Sequence, residues 1–310
     1  MENTTIPSLP AEVFVKLSSN EKTENEILRP SISYWQDVWI RLKQNKLAML
    51  GLYTIGFILL LAILGPIFSQ FSYSDQFLDK QGLPPNKTFW FGTDTLGRDM
   101  FVRVLYGARI SLAVGFVATF INLTVGIIYG GIAGIIGGRV DNIMMRIVDV
   151  FYSIPLMLYV ILLMVIIGPG LKSIFIALGL VYWVEMARIV RGQVLSLKEQ
   201  EFILASRALG ASTWGILFKH LIPNAMGPII VTVTNSIPQA IFTEAFLSFI
   251  GLGVSAPMAS WGMLASDAVS AIRSYPHILF FPALAIAITM LAFNFLGDGL
   301  RDALDPRLRK

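Results

Sequence analysis

The sequence predicts an all-α, polytopic membrane protein with six transmembrane helices, and three observations carry that prediction. Charged residues make up 14% of the 310-residue chain and apolar residues 55%, with a mean hydropathy of +0.68. A soluble domain is about a quarter charged, so this chain has too little charge to cover a water-facing surface. The charges also leave uncharged stretches of roughly 20 residues, the length a helix needs to cross the hydrocarbon core. Finally, Lys and Arg between those stretches are biased to alternate sides, as membrane topology requires.

Taken in order, residues 1–46 are polar and mixed in sign, without the early apolar run of a cleaved signal peptide. Within them, 33–46 carry Tyr34, Trp35, Val38, Trp39 and Leu42 near helical spacing. That pattern suits a helix lying at the membrane interface or a short solvated helix. Residues 47–68 are uncharged and give the first span; 69–109 form a polar loop. The second span is 110–138. The third is 150–171, with Pro155 near its start. The fourth is 173–184, followed at once by Glu185 and Arg188, three apart and placed to neutralise each other. The fifth is 221–243 and the sixth 278–297. The uncharged stretch 245–266 holds Gly251, Gly253, Pro257 and Gly262, breakers that argue for a loop or partly inserted hairpin instead of a seventh span. With the N-terminus inside, seven of the 24 basic residues fall outside and 17 inside, so both termini are expected in the cytoplasm.

Cysteine is absent and the two histidines, His220 and His277, are far apart, so no thiolate chemistry and no zinc site is indicated. The net charge of +4 is spread between apolar spans and does not form a nucleic-acid patch. No catalytic constellation is visible, and the chain is read as a non-enzyme. No G-x-x-x-x-G-K-[ST] run is present, so the chain has no phosphate-cradling loop of its own.

Four glycines, Gly126, Gly130, Gly134 and Gly138, recur at every fourth position of the second span, where small residues let helix backbones approach closely. Pro155, Pro228 and Pro238 free backbone carbonyls that neighbours or water must satisfy. Glu244, at the end of the fifth span, either caps the following Gly-rich loop or faces a translocation path or outer gate. In the outer loop, Asp94, Arg98, Asp99 and Arg103 read either as a docking surface or as an interfacial helix with i,i+4 pairs.

The segment 191–223 is the most informative. Glu201 to Leu209 reads as a short helix, Gly210 as a turn, Ser212 as the cap of a second helix, and Pro223 as the start of the fifth span. A helix–Gly–helix element on the cytoplasmic face suits docking to a cytoplasmic partner. Its residues Leu204-Ala205-Ser206, Gly210 and His220-Leu221-Ile222-Pro223 resemble the EAA loop of ABC importer permeases, with Leu204 and His220 departing from that pattern. Three further runs, Phe91 to Leu112, Glu244 to Gly253 and Ser260-Trp261-Gly262, are similar to the oligopeptide/dipeptide/nickel permeases. So is the tail Gly297 to Pro306, and the resemblance, which covers the chain from about residue 33, is to the C-type subunit of Gram-positive oligopeptide importers.

The resemblance implies a type I ABC importer permease architecture: a cytoplasmic N-terminal segment (1–46), a permease domain (47–300) with outer loop 69–109 and coupling loop 191–223, and a cytoplasmic tail (301–310). It implies import of oligopeptides or dipeptides across the bacterial plasma membrane, with no cofactor on this chain and no nucleic acid. The implied partners are a B-type permease, two cytoplasmic ATPases that carry ATP and Mg²⁺, and an extracellular peptide-binding lipoprotein. Glu201, Ala205, Ser206, Gly210 and Pro223 would then form the ATPase-coupling loop. Two alternatives stand beside this reading: a nickel-chelate importer of the same family, and an ATPase-independent channel or secondary carrier.

Overall fold

The computed structural model describes residues 33–254 and 257–305. The expectations for residues 1–32 and 306–310 therefore lie outside the described residues. Residues 38–310 form one unit; of the other, residues 1–37, only 33–37 are described. Apart from one isolated β-bridge between Thr93 and Asp99, regular structure among the described residues is helical.

Helix α1, Tyr34–Gln44, stops at Asn45, whose side chain accepts from the Leu47 and Ala48 N–H groups at 3.1 Å each and so caps α2, Lys46–Phe68. Val38 and Leu42 pack with Ala48, Ala303 and Leu304, while Trp39 and Ile40 stay exposed. Near the end of α2, Pro66 has no N–H to give the carbonyl four residues back, at Ala62. Arg109 fills the gap: its Nε donates to Ala62 O at 2.5 Å and its Nη2 to Ile63 O at 2.6 Å.

Helix α3, Met100–Ile136, begins ten residues earlier than the expected second span. The basic residues that set the expected boundary do not end the helix, because Arg103 and Arg109 find carboxylate or carbonyl partners inside the protein. It ends at Gly137, with φ of +69°. Gly138 therefore starts the next helix and is not part of the glycine row, which corrects the expectation for that residue. Gly126, Gly130 and Gly134 do share a face, and α7 lies on it: an added Cβ would meet Met186, Ala187 and Val194 respectively. At Gly130 the obstruction is backbone, whereas at the adjacent Gly131 it is only the tip of Leu217. Gly130→Ala is thus expected to destabilise by about 1–3 kcal/mol through overpacking, and Gly131→Ala to be neutral or stabilising, as judged by thermal unfolding in detergent.

Helices α4, Gly138–Ser153, and α5, Leu156–Ile167, meet at an 80° bend. Pro155 causes it, by pushing Ile154 into extended backbone (φ −89°, ψ 122°). The expected third span, 150–171, is therefore divided at Pro155 between two helices. Helices α6, Leu171–Val181, and α7, Trp183–Leu197, run on through a helical Tyr182 and together form one 27-residue candidate span, well past residue 184. Glu185 and Arg188 do not pair as expected. Arg188 reaches Asp149 of α4 at 2.8 Å, and Arg191 holds Asp141 with two bonds of 2.6 Å.

The short helices α8, Glu201–Ala208, α9, Thr213–Ile216, and α10, Ile222–Asn224, lead into α11, Met226–Phe249, through a 64° bend. Helix α12, Trp261–Val269, and α13, His277–Leu304, complete the chain. Four spans, α2, α3, α6–α7 and α13, are long and apolar enough to cross a membrane unaided; counting each bent pair as one span gives six.

Candidate functional site

The segment between α7 and α11 folds as a hairpin of short helices. Its turn is a Schellman motif: Ala211 N–H donates to Ser206 O at 3.0 Å and Gly210 N–H to Arg207 O at 2.9 Å. Gly210 sits at φ +85°, where a side chain is disfavoured although open space surrounds it. Ser212 then caps α9 by accepting from Gly215 N–H at 3.1 Å. A π-turn, Leu217–Leu221, follows. Pro223 accounts for it locally, since it brings no N–H to close an α-helical bond onto Lys219; Asn224 Nδ2 instead donates to His220 O at 2.6 Å. Pro223 thus lies in the short helix before the bend, and the long helix of the fifth span starts at Met226.

The hairpin is anchored by one fully buried residue of α8, Ile203, which joins Ile216, Leu217 and Leu221 against Ile135, Val190 and Val194 at the ends of α3 and α7. Lys198 adds a bond to Gly134 O at 3.2 Å. Glu201 and Ala205 are exposed, and Ser206 returns its hydroxyl to Phe202 O at 2.8 Å. The residues that sequence reasoning missed are apolar. Phe202, Leu204, Leu209, Trp214 and Phe218 are all exposed, Leu209 to 89%. An apolar patch on a polar hairpin is the usual mark of a protein contact. Their signal was present in the sequence as large apolar side chains on both flanks of Gly210.

Glu244 lies inside α11, fully buried, and its partners are serine hydroxyls, not the backbone amides of the following loop. It accepts from Ser111 Oγ of α3 and from Ser248 Oγ, both at 2.8 Å. Ser260 Oγ donates to Ser248 Oγ at 3.3 Å and itself accepts from Met263 N–H; Trp261 N–H donates to Ser111 Oγ at 3.3 Å. Every proton in this network is handed towards the carboxylate, and both chains begin at amides in the first turn of α12. No basic side chain forms an ion pair with Glu244 among the described residues. The positive end of α12, relayed through serines, is what faces its charge. The indole of Trp261 donates to Val104 O at 2.9 Å. Gly262 brings the α12 backbone against that of Ala245, where a Cβ would collide. The described residues of 245–266 are therefore the end of α11, a turn at 250–251, and the start of a short buried helix seated between α3, α11 and α13.

The four charged residues expected to dock, Asp94, Arg98, Asp99 and Arg103, do not present an exposed surface. All four are buried, Arg103 completely. Residues 92–99 form turns, with Gly92 and Gly97 at positive φ, and not an interfacial helix. Asp94 closes an Asx-type turn, accepting from Leu96 N–H and Arg98 N–H, and pairs with Arg98 Nε at 2.6 Å. Arg103 turns to Asp94 (3.5 Å), Asp267 of α12 (3.9 Å) and Tyr73 O (3.2 Å), not to Asp99. Arg98 also faces Asp267 at 3.9 Å. Burial raises the Asp267 pKa while the two arginines oppose that rise. Asp99 caps α3 through Phe101 N–H at 2.9 Å, and burial pushes its pKa up to about 6 against the stabilising amides of Phe101 and Val102. Two acids and two arginines thus cross-link the loop, α3 and α12 into one neutral cluster.

Comparison with known proteins identifies the family. Residues 126–310 match the family described as the binding-protein-dependent transport system inner membrane component, and residues 33–85 the N-terminal transmembrane domain of oligopeptide transport permease C. The chain is 54% identical to the oligopeptide transport system permease protein OppC of Bacillus subtilis over 303 residues, 98% of this chain and 99% of that protein. It is also 54% identical to the dipeptide permease protein DppC of the same organism, covering 97% of this chain and 95% of that one. OppC of Escherichia coli K12 is 45% identical, over 89% of this chain and 92% of that protein. The fold is that of a chain in the inward-facing MetNI methionine ABC transporter, with a TM-score of 0.56 at 22% identity over 66% of this chain and 98% of that one. The chain belongs to the C-subunit family of oligopeptide and dipeptide transport permeases.

Proposed function

We propose that this chain is one half of a peptide-conducting pathway in the bacterial plasma membrane, driven by ATP hydrolysed on separate subunits. A B-type permease supplies the other half, two ATPases dock on the cytoplasmic hairpin, and an extracellular peptide-binding lipoprotein delivers substrate. The observation that carries this reading is the hairpin itself: a Schellman-turned pair of short helices, rooted by Ile203 and presenting exposed Phe202, Leu204, Leu209 and Trp214. ATP-driven closure of the ATPases would displace this element and rock α3 and α7, against whose ends it is packed. The energy enters as the difference in ATP affinity between the two arrangements. The chain itself is non-catalytic in this reading, and both its termini face the cytoplasm.

Two measurements test it. Uptake of a labelled peptide by vesicles holding the full set of subunits is expected to require ATP inside and the hairpin intact; uptake that persists without any ATPase would sink the proposal, and nickel uptake without peptide uptake would redirect it. The orientation is tested separately, because the chain lacks cysteine. A Lys87→Cys variant is expected to react with a membrane-impermeant maleimide in intact cells, and a Leu209→Cys variant only after permeabilisation.

A further inference from the structure

Where α2 ends, a cavity of about 540 Å³ opens between that end, the 69–99 loop and the start of α3. Its walls include Phe68, Phe71, Trp90 and Phe101, and two ionisable residues line it, Lys87 and Asp99. Asp99 is 4% exposed, and no basic side chain stands within ion-pair distance of it among the described residues. Its compensation comes only from the amides it caps. A buried carboxylate without a counter-charge, ringed by aromatic faces, is a receptor for an ammonium group. Lys87 on the same wall is exposed and offers the opposite charge.

A second, apolar groove adjoins the cavity at Phe101. It has a volume of about 240 Å³ and is walled by Phe57, Leu61, Leu105, Phe281 and Leu284 with almost no polar surface. Along α2 the two together run from Phe68 to Thr54, about 21 Å at the helical rise, which is the reach of an extended acyl chain. Trp90, 63% exposed beside the cavity, has the placement of an interfacial anchor.

We propose that this paired cavity and groove binds a phospholipid whose headgroup carries a primary ammonium, with the amine on Asp99, the phosphate on Lys87 and one acyl chain past Phe101 into the apolar groove. A phosphoethanolamine headgroup carries both charges a few atoms apart and matches both residues. A lipid with an anionic headgroup and no amine would set its charge against Asp99 and be disfavoured. The site stands apart from the hairpin, touches the Glu244 network only at Trp261, which lines the apolar groove, and does not depend on which peptide is carried.

The test uses the importer complex purified in mild detergent and relipidated with equal phosphatidylethanolamine and phosphatidylglycerol, followed by quantitation of retained lipid. Asp99→Asn is the informative variant, because Asn caps a helix as well as Asp does and α3 keeps its start. The wild type is expected to retain phosphatidylethanolamine preferentially, and Asp99→Asn to lower that preference by about three- to tenfold, the range of a desolvated ammonium contact. Added phosphatidylethanolamine should also raise the thermal midpoint of the wild type and not of the variant. Equal lipid ratios in the two proteins would overturn the assignment. So would displacement of the lipid by a short peptide, which would make the cavity a substrate site, or cross-linking of Phe57→Cys to the partner permease, which would make the groove a subunit interface.

Discussion

Replacing Glu244 by alanine is expected to lower the stability of the detergent-solubilised chain by about 2–4 kcal/mol and to free α12 from its seat, because several buried polar groups lose their common acceptor. Ser111 and Ser248 each give a proton to this carboxylate at 2.8 Å, and behind them stand Ser260 and the first-turn amides of α12. Some of the loss is recoverable, since a helical serine can turn its hydroxyl to a carbonyl four residues back. A serine that turns away in this manner withdraws its oxygen from the α12 amide that donates to it, at Trp261 for Ser111 and at Met263 for Ser260. Glu244→Gln should fall between wild type and alanine: one amide oxygen still accepts, but the NH₂ meets a serine proton and one relay must reverse. Thermal unfolding gives the order. Labelling of an Ala265→Cys variant gives the local effect, because Ala265 is 9% exposed and no other thiol is present. Faster labelling in the Glu244→Ala background is expected. Unchanged stability and labelling would mean that packing of Trp261 alone seats α12.

That network also shows how far the sequence reaches. The spans are legible because each needs only a long uncharged run, and the turn at Gly210 because a positive φ leaves few residue types. The ends of the spans are not. Residue 110 looks like a beginning because Arg103 and Arg109 precede it, yet both guanidiniums find partners inside the protein, in Asp94, Asp267 and the carbonyl freed by Pro66. Asp94, Arg98 and Asp99 look exposed for the same reason, yet ion pairing buries the first two and helix capping the third. Helix α12 is nine residues long and is specified by tertiary contacts: serines on α3 and α11, and a backbone approach at Gly262. The breakers just before it, together with Gly262 inside it, therefore make the stretch read as a loop. The exposed apolar residues of the hairpin fail in the opposite direction, since in a chain so rich in Leu and Phe an apolar residue carries little information until its exposure is known.

The second large effect is expected at the turn of that hairpin. Gly210→Val should abolish peptide-stimulated ATP hydrolysis and reduce uptake at least tenfold, while the protein still inserts and the partner permease still co-purifies. A left-handed conformation costs an ordinary residue about 1–2 kcal/mol, and a β-branched one more. No atom lies within 4 Å of the position a Cβ would take, so the penalty is purely one of backbone conformation. It falls on the two Schellman bonds at Ser206 and Arg207, and without them α8 cannot fold back beside α9. The damage stays local because Ile203 is the one residue of α8 buried in the bundle. Leu209→Glu provides the complement: it keeps the turn but puts a charge on the most exposed apolar side chain of the patch. Losing an apolar anchor worth about 1.4–3 kcal/mol lowers the docked population of the ATPases by ten- to a hundredfold. If both variants transport at the wild-type rate, this hairpin does not carry the coupling. If Leu209→Glu transports normally and Gly210→Val does not, the shape of the turn, and not its apolar surface, is what the ATPases engage.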